Sequence, residues 1–275
     1  MKIEIAKNCG FCFGVKRAVK IAQKSIGAAS IGELIHNNLE INRLRDKFGV
    51  KTIKSIDDLK DEKSAIIRTH GITKTDLEQL QQKQINIIDA TCPFVKKSQQ
   101  IAKEMSDQGY DIVIFGDTAH PEVKGVMSYV ASKVYAILDE NELENIKLSS
   151  KIAVLSQTTK KIEKFTQIVG FLMQKSKEVR VFNTICNATL DNQKAVSELA
   201  NRADVMIIIG GKNSSNTKQL YLISQKYCQN SFLIENSDEL EQIWFKNKNL
   251  CGISAGASTP DWIINEVVEK IKSLD

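Results

Sequence analysis

The stretch "DVMIIIGGKNSSNT", Asp204 to Thr217, decides the fold class. Five apolar residues in a row, Val205 to Ile209, leave no polar face, so a strand made of them must be covered on both sides. Gly210 and Gly211 then turn the chain, and Ser214, Ser215 and Asn216 offer hydroxyl and amide groups where a helix would begin. Related runs are "AIIRTHG" (65–71), "INIIDATC" (85–92), "DIVIFGD" (111–117), "KIAVLSQTT" (151–159), "VRVFNTIC" (179–186) and "LCGISAGAST" (250–259). Such runs, separated by amphipathic stretches, predict an α/β chain with mainly parallel sheets. Sheets of this kind bind ligands at the carboxyl ends of their strands, so the polar residues there are the ones to read.

Those residues recur in one order. Cys12, His36 and His70 are followed by Cys92, His120 and Thr158, and then by Cys186, Ser214 and Ser258. The second member comes 24 to 28 positions after each cysteine and the third 34 to 44 beyond that. This self-similarity predicts three small α/β units sharing one site, divided as 1–90, 91–184 and 185–275. Any α/β protein has polar strand ends, yet here all three histidines and all three prolines of the chain fall inside these clusters. Pro93 and Pro121 directly follow Cys92 and His120, and Pro260 follows Thr259, places that suit the first turn of a helix.

With 275 residues, 42% hydrophobic and 26% charged, the chain has enough apolar content for two or three cores, which excludes disorder as a description of the whole. The net charge of +5 is spread over faces such as Lys160, Lys161 and Lys164 without a basic block, so no nucleic-acid partner is expected. The opening "MKIEIAKN" alternates like a strand and not like a secretory leader. No run reaches the roughly 18 apolar residues of a membrane span, so no membrane association is expected either. Six cysteines in such a chain point to a reducing, cytoplasmic location and to metal or catalytic use before disulfides.

Cys12, Cys92 and Cys186 each lie where a strand gives way to a helix, and three thiolates from separate units suit a metal centre. Zinc usually takes closely spaced ligands, which these are not. An iron–sulfur cluster normally takes four cysteines, so three would leave one iron open to a substrate. The competing use is a dithiol of Cys9 and Cys12 in "CGFC", which leaves Cys92 and Cys186 without a role. Cys228 and Cys251 read as small apolar residues near a helix end and in a strand.

Ser214, Ser215 and Asn216 read either as helix capping or as a phosphate cradle. The segment is not a Walker loop, because Met206 stands where that pattern needs its first glycine. "GASTPD" repeats the design with Ser258 and Thr259, and His36 in "IHNN" with His70 in "RTHG" would complete a diphosphate site. In "AHPEV", Glu122 serves either the helix dipole or, beside an open metal position, the delivery of a proton. Thr158 in "SQTT" would pass that proton on or anchor a substrate hydroxyl.

Taken together, "GFCFGVKRAV", "IHNN", "THG", "DATCPFV", "HPEV", "SQTT", "TIC", "SSNT" and "GASTPD", running from Gly10 to Asp261, resemble the 4-hydroxy-3-methylbut-2-enyl diphosphate reductase family. That family performs the last step of the methylerythritol phosphate route to isoprenoid precursors. The resemblance implies a trefoil of three α/β domains in pseudo-threefold arrangement around one 4Fe-4S cluster, with Cys12, Cys92 and Cys186 as ligands and an open fourth iron. It implies diphosphate contacts from His36, His70, His120, Ser214, Ser215, Asn216 and Ser258, with Thr158 near the substrate hydroxyl and Glu122, aided by His120, in proton delivery. It also implies a small electron donor such as ferredoxin or flavodoxin. One departure is Asn192-Gln193, where many members have Arg-Gln. The rival readings are a non-catalytic iron–sulfur sensor or electron carrier, and a zinc or dithiol oxidoreductase using Cys9 and Cys12.

Overall fold

The computed structural model describes residues 1–144 and 146–274. Among them the strands are β1 (Lys2–Ile5), β2 (Ala29–Ile31), β3 (Lys51–Ile53), β4 (Ser64–Ile67), β5 (Asn86–Asp89), β6 (Asp111–Phe115), β7 (Val134–Ile137), β8 (Lys151–Ser156), β9 (Glu178–Phe182), β10 (Val205–Ile209), β11 (Ser231–Ile234) and β12 (Leu250–Ala255). The α-helices are α1 (Phe13–Lys24), α2 (Asn38–Phe48), α3 (Lys74–Gln82), α4 (Pro93–Asp107), α5 (Pro121–Ser128), α6 (Ile162–Lys175), α7 (Asn187–Ala200), α8 (Ser215–Tyr227) and α9 (Asp261–Leu274). Strand pairing among the described residues is parallel throughout. Among the described residues no helix is long and apolar enough to cross a membrane.

Three four-stranded sheets result, ordered β3-β2-β4-β5, β7-β6-β8-β9 and β11-β10-β12-β1. Each follows the same rule: the first strand of its group lies between the second and the third, and the fourth closes the edge. The last group runs off the end of the chain and is completed by the first strand, β1, which pairs with β12 in the register Lys2 to Leu250. Parallel strands need crossover helices, and the helices between these strands supply them.

The continuous apolar run of β10 has a direct packing reason. Val205, Ile207 and Ile209 face Ile263, Ile264, Val267 and Ile271 of α9. Met206 and Ile208, on the other face, pack against Val196 and Leu199 of α7 and Leu220 of α8. With both faces covered, every position along the strand is apolar. Each fully buried isoleucine contributes about 1.5–3 kcal/mol. In the β7-β6-β8-β9 sheet, Ile112, Ile114, Ala153 and Leu155 likewise pack with Ile101 and Met105 of α4 and Val123 and Val126 of α5.

The chain divides into two compact units, one of Met1–Lys16, Ile35–Lys47 and Asn187–Asp275, the other of Arg17–Leu34 and Phe48–Cys186. The first holds the β11-β10-β12-β1 sheet and the second holds the other two. The shared strand order puts a topological switch point between the first and third strand of each group, where ligands of open α/β sheets bind. Segments leaving those strands carry His36 and His70, then His120 and Thr158, then Ser214 and Ser258. The edge strands β5, β9 and β1 lead instead to Cys92, Cys186 and Cys12. The threefold spacing in the sequence is the imprint of this repeated order.

Candidate active site

Each of Cys12, Cys92 and Cys186 is the residue immediately before the first residue of a helix: Phe13 of α1, Pro93 of α4 and Asn187 of α7. All three are partly exposed, and none of the six cysteines is in a disulfide. Their backbone N–H groups repeat one contact, Cys12 donating to Ala257 O at 3.1 Å, Cys92 to Thr69 O at 3.0 Å and Cys186 to Thr158 O at 3.1 Å. Every acceptor is at, or one residue from, a site residue named from the sequence: Ser258, His70 and Thr158. The other thiols lie in different surroundings. Cys9 packs into the apolar cluster of β10, β12 and α9, and burial pushes it up to about 12. Cys251, in β12, is pushed up to about 12 in the same way, and burial also raises Cys228.

Within the first unit, four loops meet beside Cys12. Gly10 adopts φ +78, and a Cβ there would stand 2.9 Å from Ile264 Cδ1 and 3.1 Å from Thr259 O, so only glycine lets the "CGFC" turn pass the β12–α9 loop. Ser258 Oγ donates to His36 O at 3.0 Å. A Cβ on Gly211 would lie 2.5 Å from that same carbonyl, which fixes glycine in the β10–α8 loop as well. Ser214 caps α8, its Oγ accepting the Thr217 N–H at 3.3 Å. Behind it Asn216 is 3% exposed, and neither its amide nitrogen nor its oxygen has a hydrogen-bond partner among the described residues. Ser215, in the first turn of α8, is partly exposed.

The His36 loop is tied down from behind. Glu40 is buried, accepts two hydrogen bonds from Arg43 at 2.8 and 2.6 Å, and accepts a third from Trp262 Nε1 of α9 at 3.0 Å. Asn37 Oδ1 accepts the Glu40 N–H at 3.0 Å, capping α2. Asn192 is buried in α7, where an arginine's charge would need a partner.

The second unit holds a different set. Glu122, in the first turn of α5, is 2% exposed, and burial raises its carboxyl above the ordinary value of 4.5. Thr158 binds both of its oxygens, through N–H to Oε1 and Oγ1–H to Oε2, each at 2.7 Å. His120 caps α5, its Nδ1 accepting the Glu122 N–H at 3.2 Å, so the ring proton sits on Nε2. The His70 and His120 rings meet edge to face, 5.3 Å between centroids. Cys92, Thr69, His70, His120, Glu122, Thr158 and Cys186 thus form an unbroken series of contacts.

Two residues outside the sequence reading belong to these loops. Arg17 donates to Thr91 O at 3.2 Å and Asp89 O at 3.3 Å, holding the segment that leads to Cys92. Thr217 is fully buried with its hydroxyl unpartnered among the described residues, beside Asn216. The signal for the second was the Gly210-Gly211 pair, which marks close backbone approach.

Residues 3–272 match the family model described as LytB protein. The 4-hydroxy-3-methylbut-2-enyl diphosphate reductase of Campylobacter fetus subsp. fetus (strain 82-40) is 69% identical over 274 residues, covering 100% of this chain and 98% of the relative. The protein of the same name from Campylobacter concisus (strain 13826) is 65% identical, covering 100% of each. A solved (E)-4-hydroxy-3-methyl-but-2-enyl diphosphate reductase, described as the terminal enzyme of the non-mevalonate pathway, is 40% identical with a TM-score of 0.74, over 99% of this chain and 100% of that one. The Plasmodium falciparum E-1-hydroxy-2-methyl-but-2-enyl-4-diphosphate reductase is 27% identical with a TM-score of 0.90, over 97% of this chain and 86% of that one. With the repeated strand order, the cysteine-headed helices and this end-to-end match together, the chain belongs to the LytB family.

Proposed function

We propose that the chain catalyses the reaction its relatives are named for, reducing (E)-4-hydroxy-3-methylbut-2-enyl diphosphate to isopentenyl and dimethylallyl diphosphates. The bond from carbon to the terminal hydroxyl breaks. Two electrons and one proton enter the carbon skeleton, and a second proton leaves with the oxygen as water. The observation that carries the reading is a buried, protonatable carboxyl, Glu122, held by the same threonine whose carbonyl accepts the Cys186 N–H. A sensor or electron carrier has no use for such a proton source, nor for the amide of Asn216.

On this reading Cys12, Cys92 and Cys186, one from each of the segments 1–90, 91–184 and 185–275, hold a 4Fe-4S cluster. The residues fit such a group, being partly exposed thiols at helix starts, while Cys9, also partly exposed but packed against an apolar cluster, and the buried Cys251 are held as thiols by desolvation. When bound, the cluster supplies electrons and, at the iron lacking a cysteine, a Lewis-acid position for the hydroxyl. The electrons come from a small carrier such as ferredoxin or flavodoxin.

The chain's own residues hold the substrate and move protons. Ser214, Ser215 and Asn216 at the start of α8, with Ser258, receive the diphosphate, where first-turn N–H groups and the helix dipole favour an anion. Asn216 then gains the partners its buried amide requires. Ser258 donates to His36 O, which ties the His36 loop in place, and its hydroxyl must turn from that carbonyl to donate to a diphosphate oxygen. His120 presents Nε2–H to anionic oxygen, with His36 and His70 as further contacts. Burial favours the protonated form of Glu122, and the Thr158 hydroxyl, which donates to Oε2, would turn to accept that proton and donate its own onward.

The test is anaerobic purification followed by turnover of the hydroxylated diphosphate with a reduced viologen. Brown protein with about four irons per chain and both products is expected. Colourless, zinc-loaded protein without turnover would contradict the proposal.

A further inference from the structure

Helix α1 breaks the rules for a stable solvated helix. Its sequence, FGVKRAVKIAQK, carries Lys16, Arg17, Lys20 and Lys24 and no acidic residue. Lys16 sits in the first turn, where the helix dipole disfavours a cation and no carboxylate offsets it. Lys16, Lys20 and Lys24 follow one another at intervals of four, so like charges line a single stripe and repel along it. All three are exposed, and none is within ion-pair distance of a carboxylate among the described residues. Unpaired lysines occur elsewhere too, but among the described helices α1 alone carries three lysines at successive intervals of four.

The stripe begins at an exposed aromatic. Phe13, three positions before Lys16, is 68% exposed and directly follows Cys12 in the chain. Arg17, on the same helix, is spent on the carbonyls of Asp89 and Thr91, which lead into Cys92. Helix α4, taken by itself, repeats the pattern two residues after Cys92, with Phe94 exposed and Lys97 three positions on. Helix α7, after Cys186, carries neither.

We infer that the exposed stripe of α1, from Phe13 to Lys24, is the docking surface for a small acidic electron-carrier protein of the ferredoxin class. The inference rests on the proposed reductase activity, because that reaction takes two electrons per turnover, delivered singly by such a carrier. An unpaired lysine row attracts and orients an acidic partner, and an exposed aromatic at its head supplies the apolar centre of a contact. The placement suits the task, since Phe13 adjoins Cys12 in the chain and electron transfer falls off steeply with distance.

The test uses the cluster-loaded protein and a triple variant, Lys16→Glu with Lys20→Glu and Lys24→Glu. Turnover driven by reduced viologen should be unchanged in the variant. Turnover driven by reduced ferredoxin should show a KM raised at least about tenfold, with the wild type's loss of rate in high salt abolished. Direct titration of oxidised ferredoxin should show binding to the wild type and none to the variant, a readout that stands even if the diphosphate is not turned over. Failure of the wild type to reduce the diphosphate with viologen would refute the proposed function and leave the binding result to decide the surface. An unchanged ferredoxin KM and titration would overturn the inference. So would a parallel loss of viologen activity, or equally tight wild-type binding to vesicles of anionic lipid.

Discussion

The loops around Ser214, Asn216 and Ser258 and the loops around His120, Glu122 and Thr158 occupy the same positions in the same strand order, yet they are made of different chemistry. The first set is hydroxyls and an amide, groups that hold charge without taking up or losing protons, backed by an immobilised Glu40–Arg43–Trp262 tie. The second set is a buried carboxyl, whose burial raises it above the ordinary value, the threonine that binds both its oxygens, and two histidines in contact. On the proposed reading, one strand order, used three times, separates holding an anion from supplying a proton by the side chains placed at its switch points.

The largest expected break in this contrast is Glu122→Gln. Turnover should fall by on the order of 10² to 10⁴ while iron content and substrate KM stay near wild type. Wild-type kcat should decline as pH rises through the raised Glu122 value, and that limb should vanish in the variant. The stability sign follows from the same shift. A carboxyl whose folded value is raised above its unfolded one contributes stability at low pH that is lost as pH rises through the folded value. Relative to wild type, Glu122→Gln should therefore gain thermal stability as pH is raised from about 4 to 8. Normal turnover in this variant would move the proton source elsewhere.

Removing the anion holders should give the opposite kinetic signature. Hydrogen bonds to charged groups are worth about 1.5–3 kcal/mol each, so Ser214→Ala with Asn216→Ala should raise KM by roughly a hundredfold or more with the cluster intact. An unchanged KM would place the diphosphate elsewhere.

Smaller but opposite stability changes sharpen the comparison. Asn216→Leu replaces a buried amide that has no partner among the described residues, and should stabilise substrate-free protein by about 1–3 kcal/mol, a few degrees in Tm. Thr158→Val deprives Glu122 Oε2 of its partner and should destabilise by a similar amount. Equal signs in the two melting curves would mean that both residues serve packing alone.

Much of this was legible in the sequence because two signals coincide. The apolar runs at β4, β5, β6, β8, β9, β10 and β12 announced a parallel α/β fold, and the cysteine-led triples announced its repetition. The runs at β2 and β3 were too short to stand out, being three residues each, and β3, β7 and β11 lie at sheet edges where one neighbour suffices. That β1 completes the sheet of β10 to β12 depends on pairing across the whole chain, which no local pattern encodes. Asn216 was recognisable by type, but its burial was not. Arg17 looked like one more surface cation, because its carbonyl partners are more than seventy residues away.

The central claim is that three of six chemically identical side chains differ in function because three head helices and three are set in apolar surroundings. Iron bound per chain, measured after anaerobic purification of six single Cys→Ala variants, tests it most directly. Cys12→Ala, Cys92→Ala and Cys186→Ala should each lose most of their iron, while Cys9→Ala, Cys228→Ala and Cys251→Ala should keep the wild-type content. Iron lost on replacing Cys9, or retained on replacing any of the three helix-heading cysteines, would contradict it.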